Sequence, residues 1–299
     1  MYAGPIIDTH MHLWDLANGY AWLSHRVPAF EHLIGNYDPL RRNFLAPDYT
    51  ALTRGWHVVQ SLRVQAFGLP DDPVAETAWL QEQADRYGYP HGIVAYADLT
   101  DPRLEETLRR HCTQANVRGI RMPLNYDAEA WRRMAARGDY MRDGQWRQGF
   151  ARLSRHGLVF DLQMYAHQIP DAVALARDFP ETAIVVEHLA WPTDLSAAGF
   201  ERWGRHLTSL AECPNVFLKV SGIGCLFRRS DPDLIRRYLR QAVATFGPDR
   251  CLFGSNCPPD TLFYGFGALL GVYIAAFSDH SPAEQHDLFC GTARRVYRL

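Results

Sequence analysis

Eight short apolar runs, each closed by turn residues and most separated by stretches long enough for a helix, constrain this chain more than any other feature. Strand, helix and strand in repetition form βαβ units, and such units require a parallel sheet. The runs cover residues 6–10, 58–66, 92–96, 117–122, 158–163, 183–188, 216–221 and 251–255. Eight of them in 299 residues predict an α/β chain with the (β/α)8 TIM-barrel architecture, one domain over 1–299.

Helix signals fall between the runs. Residues 73–87 follow Asp72 as a candidate N-cap, 234–246 form a second helix, and Ser281-Pro282-Ala283-Glu284 is a capping box with proline at the first helical position. The first connection, 13–55, is far longer than a crossover needs and carries Trp14, Tyr20 and Trp22. It is expected over the barrel mouth, as a lid or as structural padding. Thirty-one Lys and Arg against 33 Asp and Glu give a net charge of −2 without a basic block, which argues against a nucleic-acid partner. The absence of a signal peptide or a membrane-length apolar stretch predicts a cytoplasmic protein acting on a small molecule. Six cysteines without C-x-x-C pairs exclude a zinc ribbon or redox dithiol, and Cys257 is the one placed close to a candidate site.

Alternate residues of a barrel strand face the interior or the helices. Run seven separates Val216, Leu218 and Val220 from Phe217, Lys219 and Ser221, and the polar set is assigned to the interior. Run five gives Asp161, Gln163 and Tyr165, run two Arg63 and Gln65, run one Asp8, His10 and His12, run four Arg121, and run six ends at His188. Polar groups thus converge at the C-terminal ends of the strands, where barrels of this class carry their active sites. His10-x-His12 puts two imidazoles on one strand face, and His188 supplies the third ligand of an open catalytic metal site. The expected cofactor is one divalent ion, zinc or manganese, with a metal-free mechanism as the alternative.

The segment Asp8-Thr9-His10-Met11-His12-Leu13-Trp14-Asp15 resembles the opening of the amidohydrolase-related family, in its branch of fuconolactonase-like and pyrone-dicarboxylate-lactonase-like proteins. The resemblance continues through Arg118-Gly119-Ile120-Arg121, Glu187-His188-Leu189-Ala190-Trp191-Pro192, Asn215 to Gly222, Phe253-Gly254-Ser255-Asn256-Cys257-Pro258 and Gly291 to Tyr297. It implies a distorted barrel whose first- and sixth-strand histidines hold a divalent metal and whose eighth-strand aspartate is the general base. In this chain Asn256 stands at that aspartate's place, and a carboxamide cannot take a proton from water. A natural asparagine branch is the favoured explanation, ahead of an engineered trap or a protein that has lost catalysis. Asp260, four residues on, is a carboxylate that could swing to the mouth, with a solvated loop aspartate as the simpler reading, and His188 is a base if no metal is bound. Gln163 stands where the wider superfamily often has a fifth-strand histidine, so at most one metal is expected.

The leading expectation is metal-assisted hydrolysis of a small, anionic carbonyl compound, a lactone first, with Asn256 orienting the reactants. Arg63, Arg121 and Lys219 are the candidate anion contacts, with Asp161, Asp8 and Glu187 as competing partners for them. Gln163, Tyr165 and Trp14 complete the candidate binding set, and Trp22 could stack a ring. The rivals are a metal-dependent decarboxylase of an aromatic or unsaturated acid and a ligand-binding barrel without catalysis.

Overall fold

The computed structural model describes residues 2–68, 72–228 and 231–299. Eight strands, β1 Ile6–Met11, β2 Val58–Val64, β3 Gly92–Tyr96, β4 Val117–Arg121, β5 Val159–Leu162, β6 Ile184–Val186, β7 Val216–Val220 and β8 Cys251–Phe253, form one parallel sheet in sequence order. The bridge between Met11 and Cys257 brings β1 against the end of β8. Hydrogen bonds from the Asn256 amide to the His10 carbonyl (2.7 Å) and from the His12 amide to the Cys257 carbonyl (2.8 Å) complete the (β/α)8 barrel.

The crossovers are α1 Ala46–Leu52, α2 Pro73–Tyr87, α3 Leu104–His111, α4 Gly144–Phe150, α5 Ile169–Asp178, α6 Ala197–Ala211, α7 Pro232–Phe246 and α8 Phe266–Ala276. Local chemistry sets several of their starts. Asp72 accepts the Val74 amide and Asp231 the Asp233 amide, each ahead of a proline in the first turn, where a missing N–H costs nothing. Ser281 and Glu284 close the expected capping box on the short helix Pro282–His286. No helix among the described residues is long and apolar enough to cross a membrane.

A separate apolar cluster joins Ile7, Leu62, Val64, Val94, Val159, Val185 and Leu252 to Ala293, Val296 and Tyr297, with Phe217 and Leu299 packed against it. Side chains from so many strands can meet only inside the barrel, so the last helix, Thr292–Tyr297, closes one end of the interior. This cluster corrects two assignments of strand face. Leu62 and Val64 point inward, so Arg63 points out, and its guanidinium pairs with Glu76 of α2 (2.6 Å). In β1, Asp8 lies opposite Ser61 and Met11 opposite Arg63, so three steps match two. The extra residue is a bulge that leaves Ile7 and His10 inside and turns Asp8 outward. There Asp8 accepts hydrogen bonds from the Tyr49 hydroxyl of α1 (2.8 Å) and from the Ser255 amide (2.8 Å) and hydroxyl (2.6 Å).

The long first connection is a fixed wall. Trp14 and Phe44 exchange backbone hydrogen bonds across it, the Trp22 indole N–H donates to the Ala66 carbonyl (2.8 Å), and Tyr20 joins the buried Arg63–Glu76 pair. The Trp22 and Phe30 rings stack with centroids 4.8 Å apart.

Candidate active site

At the C-terminal ends of the strands lies a half-open cavity with about 480 Å³ of unfilled space, open solvent at its mouth included. His12, Arg121, Gln163, His188 and Asn256 give it polar groups, while Trp14, Trp22, Phe30, Phe67 and Trp191 give it aromatic walls. A ring flanked by such walls gains contact area, and the few polar groups fix its orientation.

His10, Glu187 and His188 present ligand atoms within 4.8 Å of one another, all buried. Among the described residues both ring nitrogens of His10 lack a hydrogen-bond partner, as does Glu187 Oε1, which lies 3.4 Å from His10 Nδ1. Unpartnered polar atoms at such depth call for an occupant, since leaving them unmade is costly. The His188 Nδ1 pairs with the Ser221 hydroxyl (2.9 Å), and the His12 Nδ1 donates to the Val64 carbonyl (2.8 Å), leaving Nε2 as the remaining nitrogen of each. Partners of this kind fix the tautomer of a metal-binding histidine. Burial, reinforced by the neighbouring cations Arg121 and Lys219, holds His10 and His188 well below the usual histidine range, and burial with Arg121 does the same for His12. Neutral imidazoles and one carboxylate oxygen form a donor set that suits a divalent cation. The expected trio His10, His12 and His188 is thus rearranged: Glu187 joins His10 and His188, and His12 stands beside them with its ring centroid 5.0 Å from that of His10. Strand alternation read through His188 does not point to its neighbour Glu187 as a candidate.

Alternation fails at that point for a backbone reason. Val185 belongs to the interior cluster, and His188, Leu189, Ala190 and Trp191 all have positive φ (52°, 56°, 56° and 37°). This left-handed turn, unfavourable for each side-chain-bearing residue, brings both His188 and Trp191 to the cavity. Hydrogen bonds from the Trp191 amide to the His188 carbonyl (2.8 Å) and from the Trp203 indole to the Leu189 carbonyl (2.8 Å) hold it.

Several expected substrate contacts lie elsewhere. Lys219 is fully buried in an ion pair with Asp161, whose other oxygen accepts the Tyr297 hydroxyl (2.7 Å), and it does not line the cavity. Arg63 is likewise buried, against Glu76, Tyr20 and the Leu13 carbonyl. Tyr165 lines a neighbouring cavity and donates its hydroxyl to the Arg132 carbonyl (2.7 Å). Arg121 does reach the cavity, with Glu187 Oε2 at 2.8 Å as its counter-ion. Gln163 lines the cavity with its carboxamide oxygen unpartnered, and Trp14 lines it with its indole N–H tied to the Arg42 carbonyl (2.7 Å).

Asn256 lines the cavity with φ at 52°, a left-handed conformation that asparagine tolerates better than most residues. Asp260 corrects both readings of it, the mobile base and the solvated loop residue. It is fully buried behind Asn256, accepting the Gly224 amide (2.8 Å), the Cys225 amide (3.0 Å) and Asn256 Nδ2 (2.8 Å). Cys257 is buried away from the cavity, and burial pushes its thiol well up, so it is no nucleophile.

Comparison with known proteins places the chain among relatives. Residues 7–299 match the family model Amidohydro_2, Amidohydrolase. An uncharacterized protein of Sinorhizobium fredii is 37% identical over 295 residues, 98% of each chain. An L-fucono-1,5-lactonase of Burkholderia multivorans is 28% identical over 305 residues, covering 98% of this chain and 96% of that protein. The crystal structure of an amidohydrolase from Burkholderia multivorans with bound zinc superposes with a TM-score of 0.82 at 27% identity, over 99% of this chain and 100% of that one.

Proposed function

From the premise that the chain belongs to the amidohydrolase family and is an enzyme of it, we propose that it hydrolyses a small lactone with the help of one divalent cation, zinc first. The observation that carries this reading is the pair of unpartnered buried groups His10 and Glu187 Oε1 grouped with His188, which together with Gln163 lines a cavity walled by aromatic rings. Likeness to L-fucono-1,5-lactonase gives it further support.

His10, His188 and Glu187 would hold the cation, with His12 beside them, and the cation would polarise an ester carbonyl and acidify water. The chain's own residues bind and orient. Trp14, Trp22 and Trp191 offer faces to a sugar-like ring, and the Gln163 oxygen accepts from a ring hydroxyl. Arg121, already paired with Glu187, carries little unbalanced charge, and Arg63 and Lys219 do not reach the cavity. A neutral hydroxylated lactone therefore fits better than the anionic substrate expected from the sequence. Asn256 can hold a water as a hydrogen-bond acceptor but cannot take its proton, which excludes general-base work at residue 256.

The test is product analysis on a panel of aldonolactones, with protein stripped by chelator and refilled with zinc. Ring opening to the hydroxy acid that is lost on stripping and restored by zinc is expected. Release of carbon dioxide from an aromatic acid without lactone opening would replace this reading by decarboxylation, and inertness toward both would overturn it in favour of another substrate class.

A further inference from the structure

The Asn256 carboxamide has its two N–H hydrogens committed to protein acceptors, the buried Asp260 carboxylate and the Cys225 sulfur at the cavity wall. Nδ2 lies 2.8 Å from Asp260 Oδ1 and 3.7 Å from Cys225 Sγ. The reverse orientation would aim a carbonyl oxygen at a carboxylate. Asp260 in turn cannot move aside, because the Gly224 and Cys225 amides hold its two oxygens, and a Cβ at Gly224 would stand 2.8 Å from its Cγ, so only glycine allows the approach. Resting on the lactonase reading above, we propose that Asp260 is a positioning residue for the reaction: by accepting Asn256 Nδ2 it fixes the Asn256 oxygen as the acceptor that the cavity offers to a water or a substrate hydroxyl.

A second consequence concerns the aspartate that the family resemblance implies at position 256. With Asp260 2.8 Å behind it, an aspartate there would share one proton with its neighbour, as two carboxylates at such separation do. Asn256 and Asp260 therefore work as a pair, the amide in front and the acid behind.

Burial raises the Asp260 carboxyl to about 6 against the lowering effect of its four donors, the Gly224 and Cys225 amides, Asn256 Nδ2 and the Cys225 thiol. The titratable groups facing it are Cys225 on the helix Ile223–Phe227, Cys257 beside Asn256 and Tyr273 of α8, all pushed well up by burial and so neutral at pH 7. Arg228, beyond that helix, is the nearby charge acting on Cys225. Once protonated, Asp260 can donate as well as accept, and the orientation of the Asn256 amide is no longer imposed.

Two measurements test this. In ¹⁵N-labelled wild-type protein, the Asn256 side-chain amide, identified by its loss in Asn256→Ser, is expected to shift between pH 5 and 8 with a midpoint near 6, and to lose that response in Asp260→Asn. An amide that ignores pH overturns the proposal. In lactone kinetics, Asp260→Asn is expected to lower kcat roughly tenfold or more with a smaller change in KM, as loss of an orienting partner does. Combining it with Asn256→Asp, which places a carboxylate in front and an amide behind, should restore much of that loss. A folded Asp260→Asn with wild-type kcat and pH profile also overturns it. If wild type opens no lactone at all, the functional reading fails, while the amide titration still decides whether Asp260 sets Asn256.

Discussion

Replacing Lys219 by methionine separates a substrate contact from an internal strut. Lys219 and Asp161 are both fully buried, and Asp161 keeps only the Tyr297 hydroxyl once the ammonium is gone. Breaking a buried ion pair by removing one partner costs about 3–5 kcal/mol, because the other charge stays behind. An unfolding entropy of about 2.1 cal/mol/K per residue gives about 0.6 kcal/mol per degree for a chain of this length. Lys219→Met should therefore melt about 5–8 °C below wild type. Adding Asp161→Leu removes the stranded charge and leaves the Tyr297 hydroxyl unpaired, which costs about 1–3 kcal/mol, so the double variant should recover a good part of the loss. Thermal and denaturant unfolding followed by circular dichroism, with lactone kinetics on the same preparations, reads both effects. A Lys219→Met protein that melts within a degree or two of wild type while KM rises tenfold would refute the argument and return Lys219 to the substrate.

Glu187→Gln should lower zinc retained after dialysis roughly tenfold or more and reduce stability by about 1.5–3 kcal/mol, because Arg121 loses its counter-ion; elemental analysis and denaturant titration check it, and full metal retention would remove Glu187 from the ligand set. Asp260 binds its proton more tightly when folded (about 6) than its ordinary value of 3.8. The folded state then holds more protons between about pH 4 and 6, so this group makes stability fall as pH rises through that window, by about 3 kcal/mol in all. Wild type should accordingly lose stability relative to Asp260→Asn across those pH values and run parallel above them, and a constant difference throughout would contradict the assignment. Trp22→Ala should cost about 3–5 kcal/mol and raise KM for a cyclic substrate, since Trp22 both anchors to Ala66 and lines the cavity; unchanged KM in a folded variant would show that the first connection does not touch substrate.

Much of the barrel was legible because its signals are local. Turn residues bracket β3 at the boundaries read from the sequence, and Asp72 and Ser281 cap the helices expected of them. The competition of Asp161 and Glu187 for cations was also visible, and those two carboxylates do take Lys219 and Arg121. What the sequence hid depends on pairing between distant strands. The β1 bulge exists only in register with β2, so alternation carried past it turned Asp8 the wrong way. At His188 the backbone leaves the extended region altogether, and no period of two survives a left-handed turn. Asp260 looked mobile because two prolines precede it, whereas the amides that hold it come from the β7 side of the barrel, 35 and 36 residues away.

The closing of the barrel interior by the last helix has a consequence for the time course of synthesis. Tyr297 reaches Asp161 across 136 residues. At about 5–20 residues per second, roughly 7–27 s pass between the emergence of the acid and that of its phenol partner. Until then the interior valines and leucines that pack on Val296 and Tyr297 have no cover at that end. The nascent barrel stays uncovered at that end over this interval, a window in which a chaperone or a slower ribosome would change the yield of folded protein without changing the fold.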